Sequence, residues 1–471
     1  MNRNKELIRN IIIFGIGTLG SKLIQFLLIP LYSIYLSTTD YSISDTLTST
    51  ISLITPLLTI GITDGVLRFT IGQVSHRKSI LKFSLLICFA GTFLLFLLIP
   101  VFNKLTELFG YYGYLIPVLY LTSSIKTMLA QYCKAIERNV AYALDGIICS
   151  LTLTVGSILL IGYLKMGVMG YILANIISRS ISIIYFTIIC KIPAILHDAS
   201  IDKRLTKELI DYSLPLMPNN LSWWIIQMSD RYMLIFFCGA ALNGLYSMAY
   251  KIPSIFNLIV SIFISAFGIT AMKECDAKTG DGKYDGRYFE KIYTQYLSLT
   301  FVAVVFIILL SRPIAFIILK NEFYNSWVYI PLLLCAYAIG NLQSFYGSIY
   351  GGIKKSKLVF ISTLSGAITN IILNLVLIPI FNAYGAAIAT IVSYAVVYLI
   401  RVYNLKQYVE MHHFENKVFA SVVVMLAVSI LYIYGNQFTI TISIVLSLIM
   451  PALYWKEMRK AFLLITRKIS K

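Results

Sequence analysis

Leu358-Val-Phe-Ile-Ser-Thr-Leu-Ser-Gly-Ala-Ile-Thr-Asn-Ile-Ile-Leu-Asn-Leu-Val-Leu-Ile-Pro-Ile380 contains no charged side chain and directly follows Lys354, Lys355 and Lys357. A helix of about twenty apolar residues crosses a hydrocarbon core of ~30 Å. In lipid the backbone must satisfy its own hydrogen bonds, which leaves helices and closed barrels. Barrel strands alternate polar and apolar over ~10 residues, and this run is longer and shows no such alternation. It reads as a membrane-crossing helix.

Comparable runs recur in both directions from it. They predict an all-α polytopic membrane protein of about fourteen spans: 10–36, 44–71, 81–101, 114–133, 141–163, 168–190, 213–239, 243–272, 291–311, 327–350, 358–380, 383–403, 417–434 and 437–454. Composition agrees. Hydrophobic residues make up 58% and charged residues 13% of the 471 positions, and the mean hydropathy is +0.80. So few charges could not cover a soluble domain of this size. Arg3, Lys5 and Arg9 precede the first run, which is too long for the apolar region of a signal peptide and is read as an uncleaved first span. The seven cysteines show no C-x-x-C spacing and fall mostly inside apolar runs, so neither a disulfide framework nor a metal site is expected. The His412–His413 pair reads as a solvated face, and no cofactor is expected.

Loop charges test the span count. With the N-terminus in the cytoplasm, about 29 of the 39 Lys and Arg residues fall on cytoplasmic connections, Arg401 among them. The opposite side holds Lys104, Lys165, Arg312 and Lys320. This bias follows the positive-inside rule and places both termini in the cytoplasm. It also accounts for the net charge of +18. The surplus is dispersed beside membrane ends and not gathered into a basic domain, so nucleic acid is excluded as a partner.

The chain also repeats itself. Gly170-Tyr-Ile-Leu-Ala174-Asn-Ile-Ile-Ser178 parallels Gly385-Ala-Ala-Ile-Ala389-Thr-Ile-Val-Ser393. Upstream, Ala135-Ile-Glu-Arg-Asn139 occupies the place of Gly352-Ile-Lys-Lys-Ser356, and Tyr41-Ser42 that of Tyr246-Ser247. Two parallel six-span repeats with two further spans suit a transporter. The expected organisation is an N-terminal six-helix lobe at 1–190 and a cytoplasmic linker at 191–212. A second six-helix lobe follows at 213–403, then two additional helices and a basic tail at 404–471.

Asp230-Arg231-Tyr232, then Gly239, then Gly244-Leu-Tyr246-Ser247-Met-Ala249-Tyr-Lys251-Ile252-Pro253 resembles bacterial polysaccharide flippases of the Wzx type. So does Asn370-Ile-Ile-Leu-Asn374, Ile378-Pro379, Gly385-Ala386-Ala387-Ile-Ala389-Thr390. These flippases belong to the multidrug/oligosaccharidyl-lipid/polysaccharide exporter (MOP) superfamily. The resemblance implies two lobes around a central cavity, working by alternating access in the bacterial plasma membrane. The implied cargo is an undecaprenyl-pyrophosphate-linked oligosaccharide, moved from the cytoplasmic to the outer leaflet for O-antigen or capsule synthesis. A functional link with a polysaccharide polymerase goes with it. The cationic lumen described for the family has counterparts in Lys22, Arg68, Lys126, Arg231 and Lys251.

A charge at mid-membrane costs ~2.5–3.5 kcal/mol on insertion scales and needs a partner or a wet cavity. Lys22, Arg68, Lys126, Arg179, Arg231 and Lys251 fall within predicted spans, against Asp64, Asp230 and Asp145. Asp64 and Arg68, four apart, share a helix face and are expected to neutralise each other; Asp230 is expected to meet Lys251. Lys22, Lys126, Arg179 and Arg231 are left without an evident intramembrane partner. A surplus of cations suits a pyrophosphate, which Arg grips through paired hydrogen bonds and Lys as a point charge. Asp64 and Asp230 are candidates to carry a proton or sodium ion in a coupled cycle, with the membrane potential as the alternative driving force. Trp223 and Trp224 are read as packing residues before stacking platforms for sugar, and Pro215 and Pro218 as a bend in span seven.

Three other readings stay open. An exporter of organic cations would want unpaired acids, in which these spans are poor. A peptidoglycan lipid-precursor flippase shares the cationic logic. A membrane polymerase would need a sizeable outer loop or a carboxylate pair; neither is evident, so a non-enzyme is expected.

Overall fold

A computed structural model describes residues 19–72, 74–105, 109–197, 200–276, 284–412 and 415–459. Residues 10–18 of the first predicted span, Arg3, Lys5, Arg9, Lys278, Lys283, His413 and the tail from Lys460 lie outside the described residues. The chain divides into two compact units, the first ending at Trp224 and the second beginning at Ile225.

The first unit holds α1 (Leu19–Tyr35), α2 (Thr38–Leu58), α3 (Ile62–Gly72), α4 (Arg77–Leu105), α5 (Ile116–Ala135), α6 (Asn139–Ser157) and α7 (Gly167–Ile189). The entry to α2 is set by a reciprocal cap: the Asp40 N–H donates to Ser37 Oγ, and the Ser37 N–H donates to the Asp40 carboxylate. Past Pro56, helices α2 and α3 meet at a 58° bend across a short break. A single wide π-type turn, Ile158–Tyr163, extends α6.

The stretch expected as a linker, 191–212, carries α8 (Ile192–His197) and α9 (Lys203–Ser213). Asp202 caps α9 by accepting from the N–H groups of Arg204 and Leu205. Ile192, Leu205 and Leu209 are buried in one cluster with Ile62, Val66 and Leu81. Their apolar faces thus fasten this stretch to the first unit.

α10 (Met217–Cys238) runs across the division between the units. In the second unit follow α11 (Ala240–Ala249), α12 (Lys251–Asp276), α13 (Arg287–Ile318), α14 (Ile330–Gly352), α15 (Ser356–Leu405), α16 (Glu415–Tyr434), α17 (Gln437–Ser447) and α18 (Ile449–Leu453). α14 is its core: nearly every side chain from Ile330 to Leu342 is buried. α15 is two helices joined at Asn382, whose φ of 52° breaks the helical path, between the predicted spans 358–380 and 383–403. The short strands β1 (Tyr284–Asp285) and β2 (Val409–Glu410) pair in parallel.

The described part of each predicted span falls on one of these helices, on one limb of α15 or on a consecutive pair. Among the described residues, eight helical stretches are long and apolar enough to cross a membrane, with α15 counted as one and α11 and α12 together as one. The remaining predicted spans are short, bent, or carry polar residues such as Lys126 in α5 and Asp230 in α10. Large apolar side chains such as Phe93, Phe236, Phe306 and Tyr403 are exposed along the helices, as lipid-facing surfaces are. The protein is a multi-pass helical membrane protein.

The repeat is visible in backbone geometry. Glu137 and Lys354, which hold the same place in the repeat, have φ of 63° and 60°. Each opens the same turn: Glu137 N–H to Lys134 O and Arg138 N–H to Cys133 O in one unit, Lys354 N–H to Gly351 O and Lys355 N–H to Tyr350 O in the other. Gly170 and Gly385 also serve alike. An added Cβ would lie 3.0 Å from Leu160 O at the first and 2.3 Å from Leu377 O at the second. A side chain at Gly385 would force the backbone apart, and one at Gly170 would require its neighbours to give by a few tenths of an ångström.

Candidate functional site

In the first unit, α1, α5 and α6 enclose a cleft of about 300 Å³ lined by Lys22, Gln25, Lys126, Gln131, Asp145 and Ser150 among others. Lys126 Nζ lies 3.4 Å from Asp145 Oδ2, and Asp145 is 3% exposed. Lys126 therefore has an acidic partner that its sequence position did not reveal: the pair joins neighbouring helices nineteen positions apart. Asp145 Oδ1 and Gln131 Oε1 are both buried without a hydrogen-bond partner. Across the cleft, Gln25 Nε2 donates to Ser150 Oγ at 3.4 Å. Lys22 and Lys126 thus share one polar cleft.

The expected Asp64–Arg68 pair does not form. Asp64 Oδ2 accepts from Asn220 Nδ2 at 3.3 Å, and the Arg68 guanidinium sits 5.2 Å from the centre of the Tyr212 ring. Each finds its partner on the segment after α8 because that segment packs along α3, an arrangement helix periodicity cannot foresee. Arg68 and Asp64 are exposed on the protein. Arg179, half-buried, donates to the carbonyl of Leu119 at 3.4 Å, a backbone partner invisible to a search for acids. Trp224 Nε1 donates to Ser49 O at 3.1 Å and Ser52 Oγ at 3.0 Å, which seats the indole on α2 as a packing residue.

The second unit gathers the Asp230-Arg231 motif and its sequel. Asp230 is 1% exposed. Its Oδ2 accepts from the hydroxyls of Tyr246 at 2.9 Å and Tyr250 at 3.1 Å, and its Oδ1 from the Arg231 N–H at 2.9 Å. The expected Asp230–Lys251 pair is replaced by these donors, because α11 and the residue that caps its end turn two tyrosines four residues apart toward one carboxylate. The Arg231 guanidinium, 6% exposed, lies 5.4 Å from the centre of the Tyr250 ring, within cation–π range. Lys251 is half-buried at the start of α12. The spacing of Asp230, Tyr246 and Tyr250 is thus one interlocked polar core.

Sequence reasoning missed Arg401. It was assigned to a cytoplasmic connection, yet α15 continues through it and its side chain is 1% exposed. Nε donates to Ser362 Oγ at 3.0 Å, Nη1 to Gln343 O at 2.8 Å and to Gln343 Oε1, and Nη2 to Thr363 Oγ1 at 3.1 Å. The hydroxyl of Tyr350 donates to Arg401 O at 2.8 Å. Gly347 leaves room for the guanidinium, since a Cβ there would lie 2.7 Å from Nη1. Arg401 stands near a helix end, where an arginine that snorkels outward looks the same in sequence; the signal present was the facing Gly347 and Gln343. Among the described residues no group of three His, Cys, Asp or Glu side chains could hold a metal ion.

Solved structures share this fold. That described as "Lipid II flippase MurJ, inward closed conformation" aligns with TM-score 0.69 at 15% identity, over 96% of this chain and 100% of that one. The inward-facing conformation of a multidrug resistance MATE family transporter of the MOP superfamily gives 0.62 at 15% identity, over 84% and 93%. A MOP superfamily transporter from Pyrococcus furiosus gives 0.56 at 14%, over 84% and 95%. At such identities the likeness is one of fold. Among curated proteins no sequence matches. A family described as "Polysaccharide biosynthesis protein" matches residues 7–268, more than half of the sequence. By that match the chain belongs to the polysaccharide biosynthesis protein family.

Proposed function

We propose that the protein moves undecaprenyl-pyrophosphate-linked oligosaccharide repeat units from the cytoplasmic to the outer leaflet by alternating access, supplying cell-surface polysaccharide synthesis. The observation that carries this reading is the polar cleft of Lys22 and Lys126 in a chain of this family. Ammonium groups within membrane-spanning helices are costly unless wet or engaged by an anion, and a pyrophosphate is such an anion. The cargo is carried unchanged, so the protein acts as a transporter and not as an enzyme. The bacterial plasma membrane is the setting that the flippase resemblance implies, and loop charges favour both termini in the cytoplasm. Arg231 and Lys251 are proposed as further contacts to the cargo, and Arg68 as an electrostatic guide. Asp64 and Asp230 are proposed as coupling sites for a proton or sodium ion, alongside the membrane potential. A polymerase consuming the product is the proposed functional partner.

The test is reconstitution into proteoliposomes with a trappable undecaprenyl-pyrophosphate oligosaccharide on one leaflet. The expected result is transfer above that of protein-free vesicles, reduced at least tenfold in Lys22→Ala and Arg231→Ala at equal incorporation. Transport of organic cations with no transfer of any pyrophosphoryl lipid would overturn the reading.

A further inference from the structure

The ends of α5 and α7 bring two cysteines together. Cys133 lies in the last turn of α5, and Cys190 caps the end of α7. Both belong to one buried cluster with Tyr132 and Phe186, Cys133 at 0% and Cys190 at 4% exposure. Their thiols hydrogen-bond to each other. Arg138, just past the turn that ends α5, touches both sides of the pair. Its carbonyl accepts from Cys133 Sγ at 3.6 Å, and its Nη1 donates to the carbonyl of Ile189, the residue before Cys190. A buried cysteine by default is a small apolar filler. The second unit fills the same places without sulfur: extended along the helices, the repeat aligns Cys133 with Tyr350 and Cys190 with Leu405, both 0% exposed. The first unit has instead one thiol facing another, with the Arg138 guanidinium fixed beside them.

We propose that Cys133 and Cys190 form a peroxide-responsive site that closes to a reversible disulfide, stapling the end of α5 to the end of α7. Hydrogen peroxide first oxidises the Cys190 thiol to a sulfenic acid (S–OH), releasing one water. The Cys133 sulfur then attacks the Cys190 sulfur. The S–S bond forms, the S–O bond breaks, and the departing hydroxyl takes the Cys133 proton as a second water. Two thiols and one peroxide thus give one disulfide and two waters, the two electrons passing from sulfur to peroxide oxygen. Cys190 reacts first because it adjoins exposed Lys191 at a helix end, whereas Cys133 is enclosed. The thiolate that peroxide attacks at Cys190 has the Arg138 cation for a neighbour. Peroxide is little larger than water, and the narrow approach that admits it excludes glutathione, so the sulfenic acid meets Cys133 before any outside thiol. Loop charges place these helix ends in the cytoplasm, where thiols are kept reduced and a disulfide is transient and redox-sensing.

The test is peptide mapping of the full chain in detergent after treatment with hydrogen peroxide, remaining thiols being blocked with N-ethylmaleimide in denaturant before digestion. The expected product is one peptide pair joined through Cys133 and Cys190, two hydrogens lighter than the reduced pair and lost on adding dithiothreitol. The oxidised chain should also melt at a higher temperature than the reduced one, since the bond closes a long loop between helices already in contact. Cys133→Ala should show neither the crosslink nor the rise, and its Cys190 should instead be trapped as a dimedone adduct. If peroxide leaves Cys133 and Cys190 as free thiols in the wild-type chain, whatever becomes of half-buried Cys149 and Cys238, the pair is packing alone and the proposal is wrong. Oxidation of Cys190 to a sulfinic acid with no link to Cys133, or a link that lowers the melting temperature, likewise overturns it. Each of these results leaves the flippase reading untouched.

Discussion

At the residue scale, the charged groups inside the helices divide by what holds them. Arg401 is held by neutral oxygens on three sides, a geometry that uses the fork of the guanidinium. Arg401→Lys is expected to cost about 2–3 kcal/mol, since a single ammonium cannot reach three separate acceptors, read as a lowered melting temperature in detergent. Lys126 and Asp145 form a pair whose acid is fully enclosed. Lys126→Ala alone strands that carboxylate and should destabilise by about 3 kcal/mol, whereas the Lys126→Ala/Asp145→Ala double variant recovers part of the loss; a double-mutant cycle of melting curves measures it. Tyr250→Phe removes one donor from Asp230 and keeps the ring face that Arg231 lies over. A loss of about 1–3 kcal/mol is expected in the same assay.

At the element scale, the repeat is a matter of where helices start and stop. The turns at Glu137 and Lys354 share their φ values and hydrogen-bond pattern, although the two sequences have only the isoleucine after the first position in common. That pattern was legible in sequence as order and spacing. The closeness it demands was not: Gly385 sits tighter against the preceding helix end than Gly170. Gly385→Ala should therefore destabilise by about 1–3 kcal/mol and more than Gly170→Ala does, because overpacking against a backbone carbonyl cannot be relieved by a side-chain rotation. Paired melting curves decide the order. The stretch 191–212 shows the opposite case. Its charges and polarity read as a connector, yet Leu205 and Leu209 lie on one face of α9 and are buried in the first unit.

At the scale of the whole molecule, loop charge sets the orientation proposed for every helix. In a cysteine-depleted background, Tyr111→Cys should react with a membrane-impermeant maleimide in intact cells, and Lys203→Cys only after permeabilisation. Reversed labelling would invert the topology. The sequence by itself determined the helical membrane class, the span pattern and the internal repeat, because these depend on the length and polarity of segments, and bilayer thickness reads length directly. It also picked out Lys22, Lys126, Asp230 and Arg231 as residues needing an explanation, since a charge in an apolar run is costly wherever it points. Which partner each charge takes was decided only by the tertiary structure. Asp64 turned to Asn220 and not to Arg68, Asp230 to two tyrosines and not to Lys251, and Lys126 to Asp145. The reason is that a pairing needs atoms of two helices within about 3–4 Å, and that contact is set by how helices pack, which the polarity of a single segment does not encode.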